Sequence, residues 1–169
     1  MRILTDLRQA LPYDVIQITD SNYTIAREVY ATNPAYFQLF DEATADDDSI
    51  LSAINAVPDG FDIAGKLFAA LCRDGDTVAV LDLLSGYPSK DDLWLGLLLV
   101  HGNMHGKGIG AVITNSVVKA ARLAGFESIC LGVMEANAGA IHFWQKAGFV
   151  HERTSGDILI FKRSVHESI

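Results

Sequence analysis

Three apolar, extended runs follow one another along the chain: Leu67 to Arg73, Thr77 to Leu84 and Leu93 to Val100. Asp74-Gly75 is a hairpin turn signal between the first two, and Gly86-Tyr87-Pro88 breaks the chain before the third. Parallel pairing needs a crossover of a dozen residues or more, so connections this short make the three runs an antiparallel meander. The period then turns helical. Ile109, Val112, Ile113, Val117, Ala120, Ala121 and Ala124 share one side of a helix that ends at Gly125. A strand from Ser128 to Val133 follows, then a helix from Ala138 to Ala147 stopped by Gly148. Extended segments at 149–153 and Ile158 to Phe161 flank a Ser155-Gly156 turn.

Upstream of the meander, Ile3, Leu4, Leu7 and Leu11 lie at helical spacing before Pro12, and Val15, Ile16 and Ile18 read as a first strand. Thr19-Asp20-Ser21 offers N-caps for a helix through Ile25, Ala26, Val29 and Tyr30, interrupted at Asn33-Pro34 and resumed from Ala35 to Phe40. A further helix is expected from Asp47 to Ala56, ending at Pro58-Asp59-Gly60. With no repeat, low-complexity tract or linker, the expectation is one domain over residues 1–169, with 1–11 as an N-terminal extension. The resulting class is mixed α/β, of the α+β kind.

The longest apolar run, Leu93 to Val100, is far short of the roughly 20 residues that cross a bilayer. Asp6 and Arg8 interrupt the segment where a secretory signal would be continuously apolar, so a cytoplasmic location is expected. Cys72 and Cys130 sit in apolar runs without the short paired spacing of a zinc or redox motif. They read as buried, reduced thiols, and no metal is expected. The net charge of −8 arises in the middle of the chain, where residues 41–92 hold 12 acids and 3 bases. Residues 93–169 hold 5 acids and 7 bases, so an anionic ligand favours the C-terminal part. No basic stripe is present to neutralise phosphates along a polyanion, and nucleic acid is not an expected partner. Asp46-Asp47-Asp48 reads either as a solvated helix start favoured by the helix dipole or as an acidic rim that draws in a cationic substrate.

The segment between the third extended run and the long helix, residues 100–110, carries Gly106, Gly108 and Gly110. Three missing side chains at a helix start let successive N–H groups line one concavity, where a diphosphate can approach the main chain. Lys107 adds a point charge and His105 a hydrogen-bond donor. A Walker loop is excluded, because His101 stands where its first glycine would be and Lys107 is followed by glycine. Gly106, Gly108 and Ala111 do satisfy a dinucleotide fingerprint. That motif wants parallel strands with helical crossovers, and here it follows a meander with only about sixty residues beyond it.

His105-Gly-Lys-Gly108-Ile-Gly110 resembles the acetyl-CoA loop of the GNAT superfamily of N-acetyltransferases, with His105 at the position usually held by Gln or Arg. A second signature, Asn137-Ala-Gly-Ala140-Ile-His-Phe143-Trp144-Gln-Lys146-Ala-Gly148-Phe149, is similar to that family's Asn-x-x-Ala-x-x-Phe-Tyr-x-Lys-x-Gly-Phe. On physical grounds alone Asn137 is a good N-cap, and Ala140, Ile141, Trp144 and Ala147 have core-facing spacing. The resemblance covers residues 13–162. It implies a largely antiparallel sheet of about six to seven strands with helices on both faces, splayed between strands 93–100 and 128–133. Residues 13–92 would form the acceptor side and 93–162 the acetyl-CoA side. The pantetheine arm would pair with main chain at Leu98, Leu99 and Val100. The diphosphate would sit on His105, Gly106, Lys107, Gly108, Ile109 and Gly110, with Asn137, Ala140, Phe143, Trp144 and Lys146 alongside.

The chemistry so implied is direct attack of a primary amine, from a cationic small molecule or peptide, on the thioester of acetyl-CoA. The backbone N–H of Val100 is the expected oxyanion donor. Candidates for the proton acceptor are Asp82, the one acid placed mid-strand, Tyr36 in the acceptor-side helices, and His101 at the strand end. Asp82 reads equally as a structural acid or as the holder of a cationic group, and His101 as a solvated loop residue. Trp144 stands where family members commonly use a tyrosine as acid; an indole N–H does not ionise usefully, which leaves solvent to protonate the thiolate. Two alternatives are an acyl-CoA-binding regulatory domain without turnover and a nicotinamide-dinucleotide oxidoreductase. A homodimer is expected from family habit.

Overall fold

The computed structural model describes residues 2–40 and 46–167; Met1, Asp41 and Glu42 of the sequence reading lie outside them. Its elements are helix α1 (Arg2–Ala10), strand β1 (Asp14–Gln17), helices α2 (Arg27–Ala31), α3 (Pro34–Gln38) and α4 (Asp47–Asn55), then strands β2 (Lys66–Arg73), β3 (Asp76–Ser85) and β4 (Asp92–Val100). Helix α5 (Ile109–Ala124), strand β5 (Ser128–Met134), helix α6 (Ala138–Lys146) and strands β6 (Val150–Ser155) and β7 (Ile158–Ser164) complete the order. The strands form one seven-stranded sheet in the order β1-β2-β3-β4-β5-β7-β6. Every neighbouring pair is antiparallel except β4 with β5. The meander and the splayed mixed sheet are as expected, and a doubly wound parallel sheet is not what this chain builds.

Side-chain alternation divides the core in two. Leu67, Ala69, Leu71, Leu81 and Leu83 face α1 and α5, where they meet Ile3, Leu7, Ile113 and Val117. Phe68, Ala70, Cys72 and Val80 face α2 to α4, where Ala26, Val29, Tyr30, Phe37 and Ile50 cover them. Helices therefore cover both faces. Cys72 and Cys130 are buried and free. Among the described residues no helix is long and apolar enough to cross a membrane.

Three local expectations need correction. The first strand ends at Gln17, although Ile18 still donates its N–H to Phe68 O at 2.7 Å. Residues 19–21 do not cap the next helix. Asn22 occupies the turn instead, its Oδ1 accepting from Thr19 N at 2.7 Å and its Nδ2 donating to Gln17 O at 3.0 Å, and a 3₁₀ turn (Tyr23–Ala26) precedes α2. The break expected at Asn33-Pro34 is present, with α2 ending at Ala31, but the helix resumes at Pro34 itself, one residue earlier than expected, because at the first position of α3 its missing N–H costs nothing.

Within β4 the parity changes. Asp82 of β3 lies opposite Leu97 and Leu83 opposite Leu95, so Gly96 is an extra residue, a β-bulge. Leu93 and Leu95 point to the α5 face before the bulge, and Leu98 and Val100 do so after it. Leu97 and Leu99 consequently turn to the α2–α4 face.

Candidate active site

The parallel register of β4 and β5 stops at Leu95 opposite Leu131, and the strands part beyond it. His101 donates its N–H to Val78 O of β3 at 2.8 Å. Main-chain groups alternate sides along a strand, so those of Leu98 and Val100 face the side that β5 has left. The Val100 carbonyl is already taken: Asn33 Nδ2 and His105 Nε2 each lie 2.9 Å from it. A carbonyl only accepts, so His105 carries its proton on Nε2. The Val100 N–H and both main-chain groups of Leu98 are left lining the cleft. Leu99 points away, buried against the α2–α4 layer.

At the mouth of this cleft Gly106 and Gly108 have φ of 74° and 76°. An added Cβ would meet nothing within 4 Å at either, so the backbone conformation, not lack of room, selects glycine there. Gly108 caps the 16-residue α5 without a side-chain bond, and the first N–H groups of that helix have no acceptor within it. Those N–H groups, the positive dipole end and exposed Lys107 form a cradle that fits a diphosphate. Gly110 differs from the other two. A Cβ on it would stand 3.2 Å from the Phe143 ring, so its smallness serves the packing of α5 on α6. The half-buried Ile109 opens the first turn.

On α6, Asn137 is the N-cap, its Oδ1 accepting from Ala140 N at 3.1 Å. Phe143 and Ala140 are half-buried and Lys146 is exposed in the last turn. Trp144 is 8% exposed, in edge contact with Phe143 at 4.8 Å and with Phe149 at 5.2 Å. The indole is a core ring behind Phe143.

A cavity of about 650 Å³ opens on the opposite, α2–α4 face. Tyr30, Tyr36, Phe37 and Phe40 wall it, Asp46 and Asp48 of the α4 start lie along it, and Asp82, Gly96 and Leu97 belong to its lining on the sheet. The aromatic wall is continuous: Tyr30 meets Phe37 at 4.8 Å, and Tyr36 meets Phe37 at 5.1 Å and Phe40 at 5.3 Å. Because the bulge puts Gly96 and Leu97 on one face, the cavity reaches the β4 backbone where that strand begins to part from β5. A Cβ at Gly96 would lie 3.2 Å from Asp82 Oδ2.

Asp82 is 15% exposed, and its Oδ2 lies 3.0 Å from the Nζ of Lys66, itself 4% exposed. Lys66 Nζ also donates to Ala56 O, at the end of α4, at 2.7 Å. Burial pushes the Asp82 carboxyl above the usual carboxylate range, against the pull of the Lys66 charge and hydrogen bond. Asp82 Oδ1 is buried without a hydrogen-bond partner among the described residues.

The acidic triplet divides its work. Asp46 caps α4, accepting from Ser49 N at 3.0 Å, and these hydrogen bonds hold it below the carboxylate range. Asp47 is gripped by Arg27 at 2.8 and 2.6 Å, and Asp48 is exposed. The helix-start reading thus applies to Asp46, and Asp46 and Asp48 also border the cavity. His101 is not a solvated loop residue. It is 6% exposed, with Nδ1 accepting from Asn103 N at 3.2 Å and Nε2 3.2 Å from Glu28 Oε1, and it does not line the cavity. Lys66, Asn33 and Gly96 also shape the site and are not among the site residues expected from the sequence. An isolated glycine within a strand pattern is a bulge signal that marks Gly96; nothing local marks the other two. Among the described residues no cluster of His, Cys, Asp and Glu could hold a metal.

Comparison with known proteins agrees with this geometry. The model of the acetyltransferase (GNAT) family matches residues 20–149. An acetyltransferase from Thermus thermophilus superposes with TM-score 0.77 at 24% identity, over 92% of this chain and 98% of that one. The ribosomal-protein-S18-alanine N-acetyltransferase of Escherichia coli gives 0.65 at 14% identity, covering 92% and 95% of the two chains. The PaiA N-acetyltransferase of Thermoplasma acidophilum, in complex with coenzyme A, gives 0.65 at 16% identity, covering 91% and 99%. No curated protein matches by sequence. The family match spans most of the chain and agrees with its splayed sheet and glycine loop: the chain belongs to the GNAT acetyltransferase family.

Proposed function

We propose that this protein transfers the acetyl group of acetyl-CoA to a primary amine of a cationic small molecule or peptide, taken up in the aromatic cavity with its nitrogen beside Asp82. The observation that carries the reading is the Gly96 bulge, which exposes the β4 backbone to the cavity on one face while the same strand borders the cleft along its edge. Aromatic walls favour the apolar and cationic parts of an organic ammonium, and the acids favour its charge.

In the cleft, the main-chain groups of Leu98 and Val100 pair with the pantetheine amides, and the N–H groups from Gly106 to Gly110 hold the diphosphate with help from Lys107. Asn137, Ala140, Phe143 and Lys146 flank the arm, with Trp144 behind them. The ammonium loses one proton to Asp82, whose raised carboxyl is closer to neutral pH than an ordinary aspartate. The nitrogen lone pair forms the new N–C bond, leaving the nitrogen cationic, and the thioester oxygen takes negative charge against the Val100 N–H. The C–S bond then breaks, the electron pair leaves with sulfur, the second nitrogen proton passes through solvent to the thiolate, and Asp82 returns its proton to solvent. Tyr36 shapes the cavity wall. His101, paired with Glu28, orients the strand end and takes no part in proton transfer.

The test is release of CoA from acetyl-CoA with butylamine, 1,4-diaminobutane, phenethylamine and a lysine-terminated peptide, each product weighed for an added acetyl group. Acetylation of at least one amine supports the reading. Tight CoA binding with no acetyl product from any of them would make the protein an acyl-CoA-binding domain.

A further inference from the structure

Asp82 is held in an unusual way for a residue in the middle of a sheet. Phe68 is its cross-strand partner on β2, so Lys66, two residues earlier, is its diagonal neighbour on the same face. The lysine side chain is almost wholly buried; among the described residues its hydrogen-bond acceptors are Asp82 Oδ2 at 3.0 Å and Ala56 O at 2.7 Å, with the Phe68 ring centroid 6.0 Å from its Nζ. A buried ammonium is costly unless paired, so a contact made only to join α4 to the sheet would be served more cheaply by an uncharged donor. Only one carboxylate oxygen is committed. Oδ1 is buried with no donor among the described residues, an arrangement that costs stability and that a substrate ammonium at the cavity floor would relieve.

We propose that Lys66 is a positioning residue for acetyl transfer: it anchors Oδ2 of Asp82, keeps the carboxylate ionised in its buried setting, and leaves Oδ1 to take the proton of the incoming amine. This rests on the reading of Asp82 given above. Among the described residues, the titratable and charged groups that share the cavity with Asp82 are Tyr30 of α2, Tyr36 of α3 and, from the start of α4, Asp46 and Asp48, with Lys66 of β2 beneath; β4 contributes Gly96 and Leu97. Lys66 is therefore the cation among these groups, and its charge and hydrogen bond are what oppose the burial of Asp82.

The experiment follows the Asp82 carboxyl carbon by NMR through a pH titration of the whole protein, wild type and Lys66→Met. The kcat/KM profile with acetyl-CoA is recorded beside it, using the fastest of the four amines named above. Loss of a cation at this distance should move the Asp82 midpoint up by about 1–3 pH units, and the acid limb of kcat/KM should move with it. Lys66→Arg should restore both. Should Lys66→Met fail to fold, Lys66→Gln keeps a donor for Ala56 O, removes the charge and carries the same expectation. An unmoved midpoint overturns the inference, because a lysine that merely ties α4 to the sheet would change stability and leave Asp82 alone. A midpoint that moves while the acid limb stays also overturns it. Failure of the underlying reading looks different: Asp82→Asn then turns over as fast as wild type, whatever Lys66 does.

Discussion

At Asp82 two forces oppose each other. Burial raises the carboxyl above its ordinary value of 3.8, and Lys66 limits the rise. A proton acceptor works only when deprotonated, so activity is present above the folded value and lost as pH falls through it. The acid limb of kcat/KM is therefore expected above the ordinary carboxylate range, and a limb at or below 3.8 contradicts the assignment. Gly96 gives a second residue-scale expectation. Gly96→Val places branched carbon where even a Cβ lies 3.2 Å from Asp82 Oδ2, filling the cavity floor. The amine KM should rise tenfold or more, on the order of 1.4 kcal/mol, while CoA affinity measured by calorimetry stays within twofold. These two residues also show how far the sequence was legible. An acid in the apolar run from Val78 to Leu84 is visible in one dimension, and so is a glycine breaking the run from Leu93 to Val100. That Lys66 meets Asp82 depends on the β2–β3 register, which no local pattern states.

At the scale of elements, the cleft exists because β4 and β5 are clamped at one end and free at the other. Asp92, 4% exposed at the start of β4, accepts hydrogen bonds from Ser128 of β5 and from Ser89, and pairs with Lys162 of β7 at 3.2 Å. Burial works against its ionisation, but the bonds from Ser128, Ser89 and Lys162 outweigh burial and hold the carboxyl below 3.8. The stability it contributes is complete above the unfolded value and is lost as pH falls through the lower folded one. Asp92→Asn should cost about 1–3 kcal/mol in urea unfolding at pH 7, a gap that narrows below pH 3.8. A gap independent of pH would refute the ionic part of this clamp. At the open end, the glycine loop is legible as a turn into a helix start from spacing alone, and φ of 74° and 76° supplies the backbone reason for two of its glycines. The third glycine packs against Phe143 where α5 meets α6, and Trp144 is the core ring its spacing indicates. Gly108→Ala should lose about 1–2 kcal/mol of stability and weaken CoA binding, since the left-handed conformation is strained for any residue with a Cβ. Unchanged CoA affinity in a calorimetric titration would count against the loop as the diphosphate site.

Across the whole molecule, the α2–α4 layer and the α5 layer are distinct and share one strand. The α2–α4 layer carries the cavity, the α5 layer carries the cradle, and β4 belongs to both through the parity change at Gly96. Asn33 joins the two sides: its Nδ2 donates to Val29 O at 2.8 Å and to Val100 O at 2.9 Å. The meander, the late helices and the splay were legible because turn residues and apolar periods are local signals. The acceptor-side layer was less so, since its short helices take their place from the sheet they cover. Its part of the chain also carries the charge: residues 41–92 sum to −9 against a net −8, and the mildly basic stretch that follows holds the glycine loop.

The most direct test of the account is amine-dependent release of CoA from acetyl-CoA by wild type and Asp82→Asn, measured side by side at about pH 7.5 with CoA affinity as control. The account predicts acetylated amine from wild type and a fall of about 10²–10⁴-fold in kcat for the variant, with CoA binding retained. Equal turnover by the two proteins would contradict it, as would a wild type that binds CoA and acetylates no amine.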